Sequence, residues 1–245
     1  MQKTISKVEI HRGKLIKILT EIYGDPRLAK ALGFKGGTAA YLFYELPRAS
    51  VDLDFNLLIP EDQEYVQQTI AKMLPKYGVV MDATIKHFTI FFLVKYGVGS
   101  WKIKIEISRR SIVAKYQMMS FMGVETQVMV KEDMVACKLA ALLTRKASVM
   151  RDVFDIWYFL HMEWEINEEI FTVQTNWTLK EGLARAIVVI EKLQKKELLQ
   201  GVGELLTEKQ KDWVRNKLKE ELLFLLRLQL DSISRKQKLR VMDAV

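Results

Sequence analysis

Apolar and polar positions alternate without a break along Val51, Asp52, Leu53, Asp54, Phe55, Asn56 and Leu57, which is the two-residue period of a half-buried strand. The same period recurs over residues 101–108. There Trp101, Ile103, Ile105 and Ile107 share one face, and Lys102, Lys104, Glu106 and Ser108 the other. Upstream, the pattern predicts a helix over about 5–23, a turn at Gly24-Asp25-Pro26, and a short apolar strand at Leu32-Gly33-Phe34. A glycine turn follows, then one or two turns of helix through Ala39, Ala40, Tyr41, Leu42 and Phe43. Pro60 and the acidic Glu61-Asp62 open a helix that runs to about Leu74 and stops at Pro75. Strands are expected near 79–85, 87–96 and 101–108, with Gly97 and Gly99 turning the chain between the last two. From Lys131 the period becomes helical, over roughly 131–146, 150–162, 179–200 and 205–240. The expected organisation is α+β: an α/β part over 1–130 and an all-helical part over 131–245.

With 245 residues, 49% of them apolar, the chain can bury a substantial core. It has no apolar run of membrane-spanning length, and its first ten residues lack a basic-then-apolar leader pattern. A soluble, cytoplasmic protein without membrane contact is expected. Cys137 is the single cysteine, excludes an internal disulfide, and reads as a buried inert thiol in an apolar helix. His11, His87 and His161 have no acid or cysteine at ligand spacing, which argues against zinc chemistry and leaves them as surface or core histidines. Residues 222–230, LLFLLRLQL, are read first as helix packing and second as an interface. The net charge is +8, and residues 180–245 carry fifteen Lys/Arg against ten Asp/Glu, densest at 235–240. An acidic polymer and a merely lysine-rich helical surface both account for that excess.

Asp52 and Asp54 bring the chemistry into focus. Leaving one face of a strand roughly 7 Å apart, they repel by about 2 kcal/mol at an effective dielectric of about 20. A divalent cation removes that cost, and Mg²⁺ characteristically takes one or two carboxylates plus substrate phosphates. Gly36-Gly37-Thr38, between a short strand and a helix start, supplies backbone amides suited to an anion and a hydroxyl beside them. A glycine turn alone only reverses the chain; set before paired aspartates, it points to nucleotide chemistry.

Gly36-Gly37-Thr38, the strand Arg48-Ala49-Ser50-Val51-Asp52-Leu53-Asp54-Phe55, the helical Lys138 and the element Arg151-Asp152-Val153-Phe154-Asp155 together resemble the AbiEii/AbiGii toxin branch of the nucleotidyltransferase superfamily that includes DNA polymerase beta. The likeness spans roughly residues 33–160. Phe154 stands where that branch usually has Tyr, at the loss of a hydroxyl. The resemblance implies a mixed sheet with flanking helices, then a helical half that contributes Lys138 and Asp152 to the cleft. It implies transfer of a nucleoside monophosphate from a nucleoside triphosphate, with Asp52, Asp54 and Glu106 holding magnesium or manganese. Gly36, Gly37 and Thr38 would cradle phosphates, Arg48 and Ser50 would order the loop or touch nucleotide, and Lys138 would neutralise the leaving pyrophosphate. It further implies the toxin of a bacterial toxin–antitoxin pair of the abortive-infection type, with the 3′ end of tRNA as acceptor and a cognate antitoxin as partner.

The residues leave alternatives beside each role. Glu106 is also readable as a solvated glutamate paired with Lys104 or Lys102, and Lys138 as a lysine snorkelling from an amphipathic helix. Asp152 and Asp155, three apart on one helical face, are within reach of Lys138 or Arg145. Asp152 is assigned to the site and Asp155 to the scaffold, with Arg151 as its other partner. The whole chain could instead be a catalytically inactive relative that binds nucleic acid or a partner, or a transferase acting on a small molecule.

Overall fold

A computed structural model describes residues 7–97, 101–110, 113–145 and 149–242, with side chains to residue 235. Gly99 and the basic side chains of Lys236, Lys238 and Arg240 lie outside the described residues. The chain divides into two compact units, Met1–Val130 and Lys131–Val245.

The first unit opens with α1 (Lys7–Gly24) and α2 (Pro26–Ala31). The second of these replaces the simple turn expected at Gly24-Asp25-Pro26. Asp25 caps it by accepting from the amides of Arg27 and Leu28, and Pro26 sits where a helix needs no donor. β1 (Leu32–Lys35), α3 (Gly36–Phe43) and β2 (Asp52–Leu57) follow, then a 3₁₀ turn (Pro60–Asp62) and α4 (Gln63–Met73). β3 (Val79–Lys86), β4 (Thr89–Lys95) and β5 (Lys102–Ser108) match the three expected strands to within a few residues. β6 (Tyr116–Phe121) and β7 (Val124–Met129) were not anticipated. Their turn, Met122-Gly123, has positive φ at both positions, the conformation of a two-residue hairpin reversal.

One seven-stranded sheet runs in the order β3-β4-β5-β2-β1-β7-β6. β2 pairs in parallel with β5, and β1 with β7; the remaining neighbours are antiparallel. The sheet is therefore mixed, with its two parallel pairings around the centre. One face is apolar: Leu53, Phe55, Ile90, Phe92, Val94, Ile103, Ile105 and Ile107 have no exposed surface. Each such side chain contributes about 2 kcal/mol by burial. From α1, Leu15, Ile18, Leu19 and Ile22 belong to the same core. The residues between them on β2 and β5 point the other way, so burying the isoleucines fixes where the carboxylates emerge.

The second unit is helical throughout its described residues: α5 (Lys131–Thr144), α6 (Met150–His161), α7 (Glu168–Thr175), α8 (Leu179–Lys192), α9 (Glu208–Trp213), a π turn (Val214–Leu218) and α10 (Lys219–Met242). Sequence periodicity missed α7 and ran α8 eight residues too far. Asn167 caps α7 through the amide of Ile170, and Gly182 of α8 lies so close to Phe171 that a Cβ would strike its ring. Leu222 and Leu226 of α10 are fully buried while Phe224 and Leu228 are exposed, so the LLFLLRLQL stretch packs through one face. Cys137 is half-buried rather than buried, its Sγ 3.0 Å from Gln174 Nε2.

Candidate active site

The short strand β1 delivers the chain to Gly36, whose φ of +79° is left-handed. A Cβ there would also lie 2.6 Å from Asp54 Oδ2, so conformation and space both demand glycine. Gly37 is constrained by space alone, because a Cβ would meet Arg48 Nη2 at 2.7 Å and Ser50 Oγ at 3.1 Å. Arg48 and Ser50 are buried, and Arg48 donates to the Ala49 carbonyl at 2.8 Å. Thr38 is fully buried and bonds both Ser50 Oγ, at 2.8 Å, and the Asp52 carbonyl. Its hydroxyl therefore braces the start of β2. The first turn of α3 has no side-chain cap, so its amides are the donors this turn would offer to an anion.

Register then assembles the carboxylates. Lys35 of β1 lies opposite Asp54, while across the parallel pairing Asp52 faces Lys104 and Asp54 faces Glu106. Asp52, Asp54 and Glu106 thus leave one face of the sheet. Lys104 places its Nζ 3.4 Å from Asp52 Oδ2 and 3.5 Å from Glu106 Oε2. Burial raises the Asp54 carboxyl above its ordinary value, and Asp52 and Glu106 add to the shift against the opposing pull of Lys35 and Lys104. Burial alone would lower the Lys104 ammonium, yet Asp52, Glu106 and Asp54 together hold it above its usual value. Among the described residues no three His, Cys, Asp or Glu side chains gather at ligand range of one point. Mg²⁺ needs only one or two carboxylates when phosphates complete its shell, and an all-oxygen set whose repulsion already draws an ammonium fits such an ion. Asp52 and Asp54 would hold it, with Glu106 beside them.

Sequence spacing does not announce the parts played by Lys104 on this face and by His11 at the start of β2. Lys104, two positions before Glu106 on the same side of β5, was visible only as one reading of Glu106. His11, whose sequence reading leaves surface or core open, is a core histidine. Its Nε2 donates to the Val51 carbonyl at 2.9 Å, which leaves Nδ1 to accept from the Tyr96 hydroxyl. Burial lowers its basicity, against smaller opposing effects of the Val51 carbonyl and Asp52. No short-range spacing could have linked His11 to residue 51.

The helical unit carries its own cluster. Lys138 Nζ lies 2.7 Å from Asp152 Oδ1 and 2.9 Å from Asp155 Oδ2, and Arg145 also pairs with Asp152. Both aspartates are buried. Lys138 is thus an ion-paired lysine, and Asp155 belongs to the same network as Asp152. Phe154, between them, packs edge-on to Trp157 and Trp213 with ring centroids 5.5 and 6.4 Å away, an apolar setting in which the absent tyrosine hydroxyl would need a partner.

No helix among the described residues is long and apolar enough to cross a membrane. Two solved structures share the fold. A candidate nucleotidyltransferase from H. pylori matches with a TM-score of 0.63 at 17% identity, covering 94% of this chain and 97% of its own. JHP933 from Helicobacter pylori matches with a TM-score of 0.64 at 17% identity, covering 98% of this chain and 100% of its own. No curated protein matches the chain. The model of the family described as nucleotidyl transferase AbiEii toxin, type IV TA system, matches residues 17–232. With its paired aspartates behind the glycine turn and a family match over most of its length, this chain belongs to the AbiEii nucleotidyl transferase toxin family.

Proposed function

We propose that the protein transfers a nucleoside monophosphate from a nucleoside triphosphate to the 3′ end of an RNA, tRNA in the first instance, as the toxin of a cytoplasmic toxin–antitoxin pair. The observation that carries this reading is the Asp52/Asp54 face set against Gly36, where a Cβ would collide with Asp54. A phosphate held by the first amides of α3 then lies against the carboxylates. A divalent ion bound there would polarise the phosphoryl oxygens and lower the charge repulsion at the reacting phosphorus. Asp52 and Asp54 would hold such an ion, Glu106 takes the proton of the attacking hydroxyl, and the Lys104 ammonium offsets the charge of this carboxylate face when no ion is bound. The hydroxyl oxygen forms the new bond to the α-phosphorus as the α–β bridging oxygen leaves with its electron pair on pyrophosphate. Arg48, Ser50 and Thr38 keep the turn and the start of β2 in register. The family resemblance alone assigns Lys138 to the charge on pyrophosphate; within the helical unit its ammonium is held by Asp152 and Asp155. The excess of basic residues after position 179 supports a polyanionic acceptor.

Incubation with each labelled triphosphate, Mg²⁺ and total tRNA tests the reading. Label should appear at RNA 3′ ends and disappear with Asp52→Asn or Asp54→Asn. Transfer to a small molecule in preference to any RNA, or turnover that survives both substitutions, would overturn it.

A further inference from the structure

Two residues beyond Asp54 on β2, Asn56 lines a cavity of about 370 Å³ together with Leu57, Leu58, Pro60, Gln63, Arg109, Arg110 and Ala114. Asn56 interrupts the alternation of burial along β2. It shares the face of Asp52 and Asp54, yet it is only 2% exposed. Its Nδ2 donates to the Tyr116 hydroxyl at 2.7 Å, while its Oδ1 is the one buried side-chain polar atom without a partner among the described residues. An unmatched buried amide oxygen costs about 1–3 kcal/mol, and a ligand that donates a hydrogen bond recovers that cost. The same wall is cationic. Arg109 is anchored by its Nη1 to the carbonyls of Lys86 and His87, at 3.1 and 3.3 Å, and Arg110 stacks on Phe88, 4.9 Å from the ring centroid. Neither pairs with a carboxylate among the described residues. Donor-seeking amide, apolar floor and guanidinium pair together suit a nucleotide unit carrying a phosphate.

Register gives the cavity its place in the reaction. Gly36 and Gly37 follow Lys35, which pairs with Asp54, whereas Asn56 pairs with Gly33 on one side and Ser108 on the other. Along β2 the order is therefore glycine turn, carboxylates, Asn56, with Asn56 about 7 Å beyond Asp54. In an in-line displacement the attacking oxygen approaches opposite the leaving pyrophosphate. If the glycine turn takes the pyrophosphate side, the Asn56 end takes the attacking side. We infer that this cavity is the acceptor subsite, holding the terminal nucleotide of the RNA with its 5′-phosphate on Arg109 and Arg110 and a base or ribose donor on Asn56 Oδ1. This inference rests on the nucleotidyl-transfer reading.

Arg110→Ala, at an exposed side chain, is the first test, with Arg110→Lys as the charge-preserving control and Arg109→Ala as a second variant. Two readouts keep this inference separable from the transfer reading: KM for acceptor against KM for triphosphate, and fluorescence-anisotropy binding of a labelled single-stranded RNA octamer with a free 3′-hydroxyl, without triphosphate. Arg110→Ala should raise acceptor KM and octamer Kd about tenfold, leave triphosphate KM within about twofold, and be largely rescued by lysine. If octamer binding weakens in this way while no variant or wild-type chain transfers label, the subsite stands and the transferase reading fails. Unchanged octamer binding and acceptor KM, a rise confined to triphosphate KM, or a wild-type chain that does not bind the octamer would each overturn the subsite.

Discussion

Lys104 lies across from Asp52 in the parallel β2/β5 pairing and sets its ammonium 3.4 Å from that carboxylate, with Glu106 3.5 Å away on the other side. A cation already stands where the carboxylates need one. Because a metal ion must compete with this ammonium, Lys104→Met should weaken the fold without metal and tighten Mg²⁺ binding by about tenfold, the equivalent of about 1.4 kcal/mol. Thermal denaturation across a Mg²⁺ titration reads both effects. A variant whose melting temperature and Mg²⁺ midpoint match the wild type would mean that the ammonium does not share the metal's position.

Asp54 is held above its ordinary pKa chiefly by burial, then by Asp52. The folded state therefore binds its proton more tightly than the unfolded chain, and stability falls as pH rises from about 3.8 through the folded value. That loss persists at neutral pH. Asp54→Asn should raise the melting temperature at pH 7 in the absence of metal while abolishing transfer, and the gain should shrink toward pH 4. Saturating Mg²⁺, which at about a hundred times its Kd adds about 2.7 kcal/mol to a protein that binds it only when folded, should stabilise the wild type and not the variant.

Much of this face was legible in the sequence, for reasons that particular residues make plain. The alternation through Asp52 and Asp54 and the isoleucine ladder of β5 are local patterns, and local patterns survive folding when one face must be buried. The β6/β7 hairpin was lost because Met118, Met119 and Met122 blur its alternation, although Met122-Gly123 followed by Val124 was a usable turn signal. α7 was missed because a helix of eight residues offers barely two turns of periodicity. His11, Lys104 and Asn56 were underrated for a different reason. Their partners are Val51 and Tyr96, Asp52, and Tyr116, and no periodicity of one strand announces a neighbour forty or more residues away.

His11 gives a pH signature to the positioning of β2. Burial lowers the basicity of the ring, with smaller opposing effects from the Val51 carbonyl and Asp52. The Lys14 ammonium lies over the ring of the other His11 partner, 4.9 Å from the Tyr96 centroid. A histidine less basic when folded than when unfolded leaves the unfolded chain with more bound protons, so stability is lost as pH falls below about 6.5. Urea denaturation at pH 7.5 and 5.5 should show that decline in the wild type and a smaller one in His11→Gln, which keeps a donor for Val51 and has no titrating ring. Equal declines in the two proteins would assign the acid sensitivity to other groups.

Lys138 joins stability to activity, because its ammonium is shared by two buried carboxylates, Asp152 at 2.7 Å and Asp155 at 2.9 Å. Removing one partner of a buried pair leaves charge uncompensated, at a cost of about 3–5 kcal/mol. Arg145 still serves Asp152, which places the expected loss for Lys138→Ala at the lower end, about 3 kcal/mol. Lost activity in that variant alone could therefore reflect lost folding. Lys138→Ala combined with Asp155→Asn removes the charge together with one of its partners and should recover much of the stability. If the ammonium also neutralises the leaving pyrophosphate, transfer in this folded double variant should stay at least about a hundredfold below wild type. Recovery of transfer along with stability would confine Lys138 to holding the helical unit together.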